Sequence, residues 1–384
     1  VGTFYDFFNR LWDSDEDHMS PHIHPLKTKV KKPKTNGTKA DPVEKVTVAD
    51  LLPALVKTDF KLDEQPYASL FQIYQKEFLD VSVSQGLIHA DSLALAGDGT
   101  PVVTSHRERK KRIFNCKENC ISNCRCDRYF SQPDCDIGWD SSRNCFYHGY
   151  DLYMLVDSQS DLPVFPHFSC ASKHDSHGFL HTFFRMRSFL PDYTVSKVLL
   201  DSAHDAMPYY QYFQRENITP FIDLNGKGGR PPVYKNDFTI DEDGVPVCPS
   251  GHRMLRDGVE VAKGRMKFRC PKISRKNGCI SCTCETPCSD AKYGRTVHLV
   301  MKDNPRLFNN PPRSSKEWKL EYNARTSAER SNKREKLDFK LEDGRHRSTK
   351  MWYCRLYHIL MLQHLDARDL PLEPTLKKMI LQTT

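Results

Sequence analysis

The sequence predicts a mixed α/β fold, a sheet flanked by helices. Three observations carry that expectation. Apolar strand-like runs, "SLALAGDGTPVVTS" at 92–105, "YDLYMLVDSQSDLPVFPHFSCA" at 150–171 and "VSKVLLD" at 195–201, alternate with helical runs. A block of short hairpin-like stretches at 226–314 then changes the character of the chain. A strongly apolar helix, "MWYCRLYHILMLQHLDAR" at 351–368, is suited to pack on the sheet.

In order along the chain, "VGTFYDFFNRLW" at 1–12 reads as the end of an amphipathic helix, and 13–45 as a polar linker without periodicity. Helices are expected within 46–90, in "TVADLLPALVK" and "PYASLFQIYQKEFLDVSVSQGLI". The segment 91–225 opens with a strand in which Gly97, Asp98 and Gly99 form an interruption. A β-hairpin follows, turning at Ser158–Asp161. Next come a helix at 178–190, a buried strand ending at Asp201, a further helix and the strand "ITPFIDLN". Within 226–314, Asp-Gly and Lys-Gly turns mark hairpins. The last part, 315–384, is read as helical.

The chain has 384 residues, enough for more than one domain, with 38% apolar and 28% charged residues and a net charge of +8. The positive charge is concentrated: six lysines in "KTKVKKPKTNGTK" at 27–39, five bases in "HRERKKR" at 106–112, and a third run near the C-terminal end. Such runs suit a polyanion, although a solvated tail explains the first equally well. No run of about 18 apolar residues is present, so no transmembrane helix is expected. There is no signal-peptide pattern. The chain opens on Val1 rather than Met, and an upstream part is expected to be missing. Fourteen cysteines in a long basic chain suggest reduced thiols or metal ligands rather than a disulfide framework.

The third basic run, "YNARTSAERSNKREK" at 322–336, contains no helix breaker. At about 100° per residue, Tyr322, Arg325, Glu329, Lys333 and Lys336 share one helical face. A carboxylate inside a basic stripe has two explanations. It belongs to an exposed helix with i,i+4 ion pairs, Glu329 to Lys333 being one, or it holds a metal while its neighbours hold phosphates. Two further carboxylates belong in the same question. Asp98 and Asp201 are read at the carboxyl ends of apolar strands, where α/β sheets place their active sites. Taken singly, Asp98 could begin a turn. Asp201 could cap a helix, and Asp205 competes with it for either role.

These residues resemble a known pattern. Tyr322-x2-Arg325-x3-Glu329-x6-Lys336 reproduces the signature of bacterial insertion-sequence DDE transposases. "AGDGTPV" at 96–102 resembles the first-aspartate strand of that family, and "VLLDSAHDAMPYYQYF" at 198–213 its second-aspartate segment. "VGTFYDFFNRLW" and "CPSGHRM" resemble segments of a cysteine-containing branch. The resemblance covers essentially the whole chain. It implies a ribonuclease-H-like fold with a β-rich insertion before the glutamate helix, so that 91–225 and 315–384 form one catalytic domain. It implies that Asp98, Asp201 and Glu329 bind two Mg²⁺ or Mn²⁺ ions, and that Tyr322, Arg325, Lys333 and Lys336 contact DNA. The implied activity is cutting of double-stranded element ends and their joining to target DNA, by a homodimer in the bacterial, nucleoid-associated cytoplasm. One departure stands out: Ser202-Ala203-His204 replaces the aromatic and glycine usual after the second aspartate. His204 reads as a helix-surface residue. The rival readings are a decayed or repurposed transposase that only binds DNA, and a metal-dependent nuclease without strand transfer.

The cysteines fall into two groups. Cys248, Cys270, Cys279, Cys282, Cys284 and Cys288, with His252, could hold a structural Zn²⁺ in the insertion. Cys116, Cys120, Cys124 and Cys126, with Cys135 and Cys145 beyond, form the other group. Free thiols are the alternative for both. His174-Asp175-x-His177 reads as a hairpin exit and helix cap.

Overall fold

The computed structural model describes residues 2–19, 46–104, 108–109, 129–130, 132, 134–226, 238–276 and 279–369. The lysine run at 27–39, most of the basic run at 106–112, and Cys116, Cys120, Cys124 and Cys126 lie outside these. The chain divides into two compact units, Val1–Leu200 with Ala324–Thr384, and Asp201–Asn323. The architecture is mixed α/β, as the element order predicts.

In the first unit, α1 (Gly2–Asn9), α2 (Val48–Val56), α3 (Ala68–Tyr74) and α4 (Asp80–Ser84) precede the first strand. A wider π-type turn at Gln75–Leu79 links α3 to α4, so the expected single helix there is one run with a bulge. Thr47 and Asp50 form a capping box at the start of α2, with the Thr47 N–H donating to Asp50 Oδ2 at 2.8 Å.

The sheet is built from β1 (Leu93–Val103), β4 (Asp136–Asp140), β5 (Cys145–Asp157), β6 (Pro163–Cys170) and β7 (Val195–Leu200). A two-residue ladder, β2 (Glu108–Arg109) with β3 (Tyr129–Phe130), stands apart. β5 pairs antiparallel with β1 on one side and with β6 and β4 on the other. β7 pairs with β1 in parallel, Ala96 opposite Leu199. The β5–β6 hairpin turns within 158–162, as expected, but β5 begins at Cys145, earlier than the apolar pattern indicated.

Asp98 is not at a strand end. β1 runs through it, with Asp98 opposite Met154. Gly97 and Gly99 do not interrupt the strand, because they are there to admit neighbours. A Cβ on Gly97 would stand 2.8 Å from the Tyr153 hydroxyl, and one on Gly99 2.7 Å from Asp175 Oδ1. Those neighbours place α5 (Asp175–Phe189) on the face to which Gly97 and Gly99 point. Asp98 points to the opposite face, since side chains alternate along a strand. α8 (Thr326–Lys333) packs there on β1 and β5, and α9 (Thr349–Asp369) on β6 and α3. The core between these layers is rich in aromatics: Tyr67, Phe71, Tyr74, Tyr150, Tyr153, Phe165, Phe179, Trp352, Tyr353 and Tyr357 are all buried.

The second unit holds α6 (Met207–Arg215), β8 (Thr219–Ile222), seven further short strands and α7 (Lys316–Asn323). β9 (Thr239–Ile240) pairs with β10 (Pro246–Val247), and β13 (Ile273–Lys276) with β14 (Cys279–Cys282). β11 (Leu255–Glu260), β12 (Arg265–Arg269) and β15 (Thr296–Val300) form a three-stranded antiparallel sheet. Ile240, Val245, Met254, Met266, Phe268, Val297, Leu299, Leu307 and Phe308 form its small core. Arg313 is buried and tied to the Ile222 and Arg306 carbonyls and the Tyr210 hydroxyl.

The glutamate helix is not continuous over 322–336. α7 ends at Asn323, and α8 restarts with i→i+3 bonds from the Ser327 and Ala328 N–H groups to the Ala324 and Arg325 carbonyls. A π-type turn follows at Arg334–Asp338. The expected five-residue face is therefore interrupted at both ends. Tyr322 lies on α7 in the second unit, stacked on Trp318 with ring centroids 4.6 Å apart. Lys336 lies in the π-type turn.

Candidate active site

In the first unit, the site forms where α8 crosses β1. The Asn332 amide donates to Asp98 Oδ2 at 3.2 Å. A carboxylate can only accept, so this contact fixes the amide orientation and leaves Asn332 Oδ1 as the acceptor end of the amide. That oxygen is buried and has no hydrogen-bond partner. Four residues further on, the Lys336 ammonium donates to the Pro101 carbonyl at 2.7 Å and approaches Thr100 Oγ1 at 3.5 Å. It also faces Glu342 at 3.3 Å. Asn332 and Lys336 together fasten the helix along the strand that carries Asp98.

Glu329 is one turn before Asn332, with its side chain half exposed. It pairs with Arg325 at 2.6 Å, so the i,i+4 ion pair foreseen as the simpler explanation is present. Its partner is Arg325 rather than Lys333. Lys333 is exposed on the same helix. Arg330 turns away and makes a bidentate pair with Asp161, both contacts at 2.6 Å. Glu335 takes the inward position. It is fully buried between Ser331 and Gln363, and burial pushes its carboxyl up to about 7.

On the other face of β1 lies a buried carboxyl that the sequence pattern did not mark. Asp151 on β5, opposite Pro101, is buried, and its Oδ2 has no partner. Burial raises its carboxyl well above the usual range, and the charges of Asp175 and Asp98 raise it further. The available signal was an acidic residue early in the apolar run "YDLYMLV". His174 caps α5, its Nδ1 accepting from the Ser176 N–H, as expected.

Asp201 follows Leu200 at the end of β7 and opens the second unit. It caps the single turn Ser202–His204, its Oδ1 accepting from the Ala203 N–H at 3.1 Å. His204 is not a surface residue. It is buried, and its Nδ1 lies 2.6 Å from Asp201 Oδ1. The turn folds back too tightly for a regular helix, which starts only at Met207, and so carries the imidazole inward. Asp205 is fully committed elsewhere. It accepts from Arg306 Nε and Nη2, the Tyr210 hydroxyl and the Asn225 N–H. Of the two aspartates, only Asp201 has carboxylate surface left to offer.

The second unit also gathers thiols. Cys248, His252, Cys270, Cys282, Cys284 and Cys288 line one cavity of about 10 Å³. The Cys279 side chain is outside the described residues. Nine cysteines are free thiols among the described residues. Also among the described residues, no three His, Cys, Asp or Glu side chains stand ready to hold a metal ion, and no helix is long and apolar enough to cross a membrane. No protein-family model matches the chain, and no curated protein matches it with significance.

Proposed function

We propose that the chain is a DDE-type DNA transposase, which cuts double-stranded DNA at the ends of a mobile element and joins them to target DNA. The observation that carries this reading is the junction of α8 and β1. The helix with the Arg325-x3-Glu329-x6-Lys336 pattern is bonded to the strand with Asp98, through Asn332 and Lys336. The strand order β6–β5–β1–β7, antiparallel except for parallel β7, is compatible with a ribonuclease-H-like sheet.

The donor set suits a hard cation. Asp98, Asp201 and Glu329 supply carboxylate oxygens, and the unpartnered Asn332 carbonyl oxygen adds a neutral one beside Asp98. On this reading those carboxylates hold two Mg²⁺ or Mn²⁺ ions, which when bound activate a water or 3′-hydroxyl and stabilise the leaving oxygen. Asn332 holds the Asp98 carboxylate in one orientation. Arg325 offsets the charge of Glu329 while no DNA is present, and on binding exchanges it for a phosphate. Lys333 meets the backbone directly, and Lys336 braces the helix against β1. A second copy of the chain in the DNA complex and a bacterial cytoplasmic location belong to the same proposal.

One observation favours the rival, a DNA-binding protein without catalysis: the Asp201 carboxylate is already engaged by Ala203 and His204. Incubation of the protein with labelled element ends, Mg²⁺ and target plasmid separates the readings. Joined product supports the transposase. Cut product alone points to a nuclease, and bound DNA alone to the non-catalytic protein.

A further inference from the structure

The cysteine-lined cavity of the second unit is the strongest feature outside the α8–β1 junction. Its six lining Cys and His residues come from three stretches separated in sequence: Cys248 with His252, Cys270, and Cys282 with Cys284 and Cys288. Folding brings them around a space of about 10 Å³, room for about one water-sized body. Cys248 and Cys270 are buried. Cys288, partly buried, lines the same cavity as both.

Two backbone details fit thiolate ligands. The segment from Cys248 forms a tight turn, with the Gly251 N–H donating to the Cys248 carbonyl at 2.9 Å and Gly251 at φ +73°. The Cys284 N–H donates to Cys282 Sγ at 3.4 Å, a contact that favours a charged sulfur. The surrounding strands are only two to six residues long, so they contribute few ladder bonds to hold the turns together.

We infer that this cavity is a structural Zn²⁺ site, with Cys248, Cys270 and Cys288 as three ligands and the fourth from the Cys282–Cys284 pair. Four soft sulfur donors suit tetrahedral zinc and leave no open position for a substrate. The thiols line the cavity without converging on a point, and binding closes them by side-chain rotation, each releasing a proton as it becomes a thiolate. The ion staples three stretches that share only a small apolar core. The inference stands apart from the transposase reading, because it concerns a different set of ligands and a different kind of ion.

The test uses the full chain purified without chelators. Metal analysis should find one zinc per chain. Apo protein given Co²⁺ alone should show the absorption of tetrahedral cobalt thiolate. Cys248→Ser and Cys288→Ser should each lose the metal, and Cys288, being only partly buried, keeps the test valid if Cys248→Ser fails to fold. Cys354→Ser, in the first unit, and Glu329→Gln should each retain one zinc. Protein that carries no zinc, takes up no Co²⁺ and reacts fully with an alkylating reagent at Cys248, Cys270 and Cys288 in its native state would overturn the inference. Zinc retained by both Cys248→Ser and Cys288→Ser would do the same.

Discussion

Two glutamates six residues apart on one helical run meet opposite environments. Glu329, on α8, is half exposed and paired with Arg325. Glu335, in the π-type turn that follows, is fully buried, bonded to Ser331 and Gln363, with Oε2 unpartnered. Composition alone would have ranked them equally. The exposed one stands at the surface, where a cation can reach it. The buried one has its charge suppressed by desolvation. The same run therefore presents a chemically available carboxylate outward and a packing carboxyl inward.

The largest expected effect breaks the comparison on the functional side. Glu329→Gln keeps the shape and removes the charge. It should reduce cleavage of element ends by several orders of magnitude while end binding stays intact or tightens, because repulsion from phosphate is relieved. Asp98→Asn should match it. Glu335→Gln should cut normally. Normal cutting by Glu329→Gln would remove Glu329 from the site.

The next effect concerns stability, and it belongs to Glu335. Its folded-state value, about 7, lies above the ordinary 4.5. A raised acid favours the native state while protonated. Its contribution is full below about 4.5 and is lost as pH rises through about 7, after which it is flat. The interval is worth about 3 kcal/mol. Denaturant unfolding at pH 5 and pH 8 should show the parent losing about that much more stability than Glu335→Gln over the rise. Equal losses in both proteins would mean that the buried carboxyl does not titrate in this range.

Much of this arrangement was legible in the sequence. The strand ending before Asp201, the β5–β6 hairpin and the His174 cap all follow from local patterns. What was hidden depended on neighbours distant in the chain. "AGDGT" looks like an interruption until Tyr153 and Asp175 are seen to need the space above Gly97 and Gly99. His204 looks solvent-facing until the turn folds it back onto Asp201. The run 322–336 has the propensity of one helix, and propensity does not reveal the tightened joint at Ala324–Arg325 or the π-type turn at Arg334. Asp151 was invisible because periodicity marks which face is buried and not which buried group lacks a partner.

A third, smaller effect separates two lysines beside these glutamates. Lys333 is exposed, whereas Lys336 is mostly buried and bonded to the Pro101 carbonyl. Lys333→Ala should weaken DNA binding by about 1 kcal/mol and reduce the salt slope by about 0.9, the loss of one phosphate contact. Its folding stability should not change. Lys336→Ala should instead cost about 1 kcal/mol of folding stability through the lost charged hydrogen bond. Binding isotherms over a salt series and denaturant melts on both variants decide the matter. A steeper loss of binding for Lys336→Ala, with unchanged stability, would reverse the assignment.

The smallest effect sharpens what the Arg325–Glu329 contact is for. At 2.6 Å its geometry is good, but Glu329 is half exposed, and water screens such a pair. A double-mutant cycle of Arg325→Ala and Glu329→Gln, read by unfolding without DNA, should give a coupling of about 0.3–0.5 kcal/mol. Added salt should diminish it. A value that small means that the pair contributes little to holding the helix, and that Asn332 and Lys336 do that work from the other side. Arg325 is then available to exchange its carboxylate partner for a phosphate at little cost. A coupling above about 2 kcal/mol, insensitive to salt, would mark a structural lock, and Glu329 would then belong with Glu335 as part of the packing rather than of the chemistry.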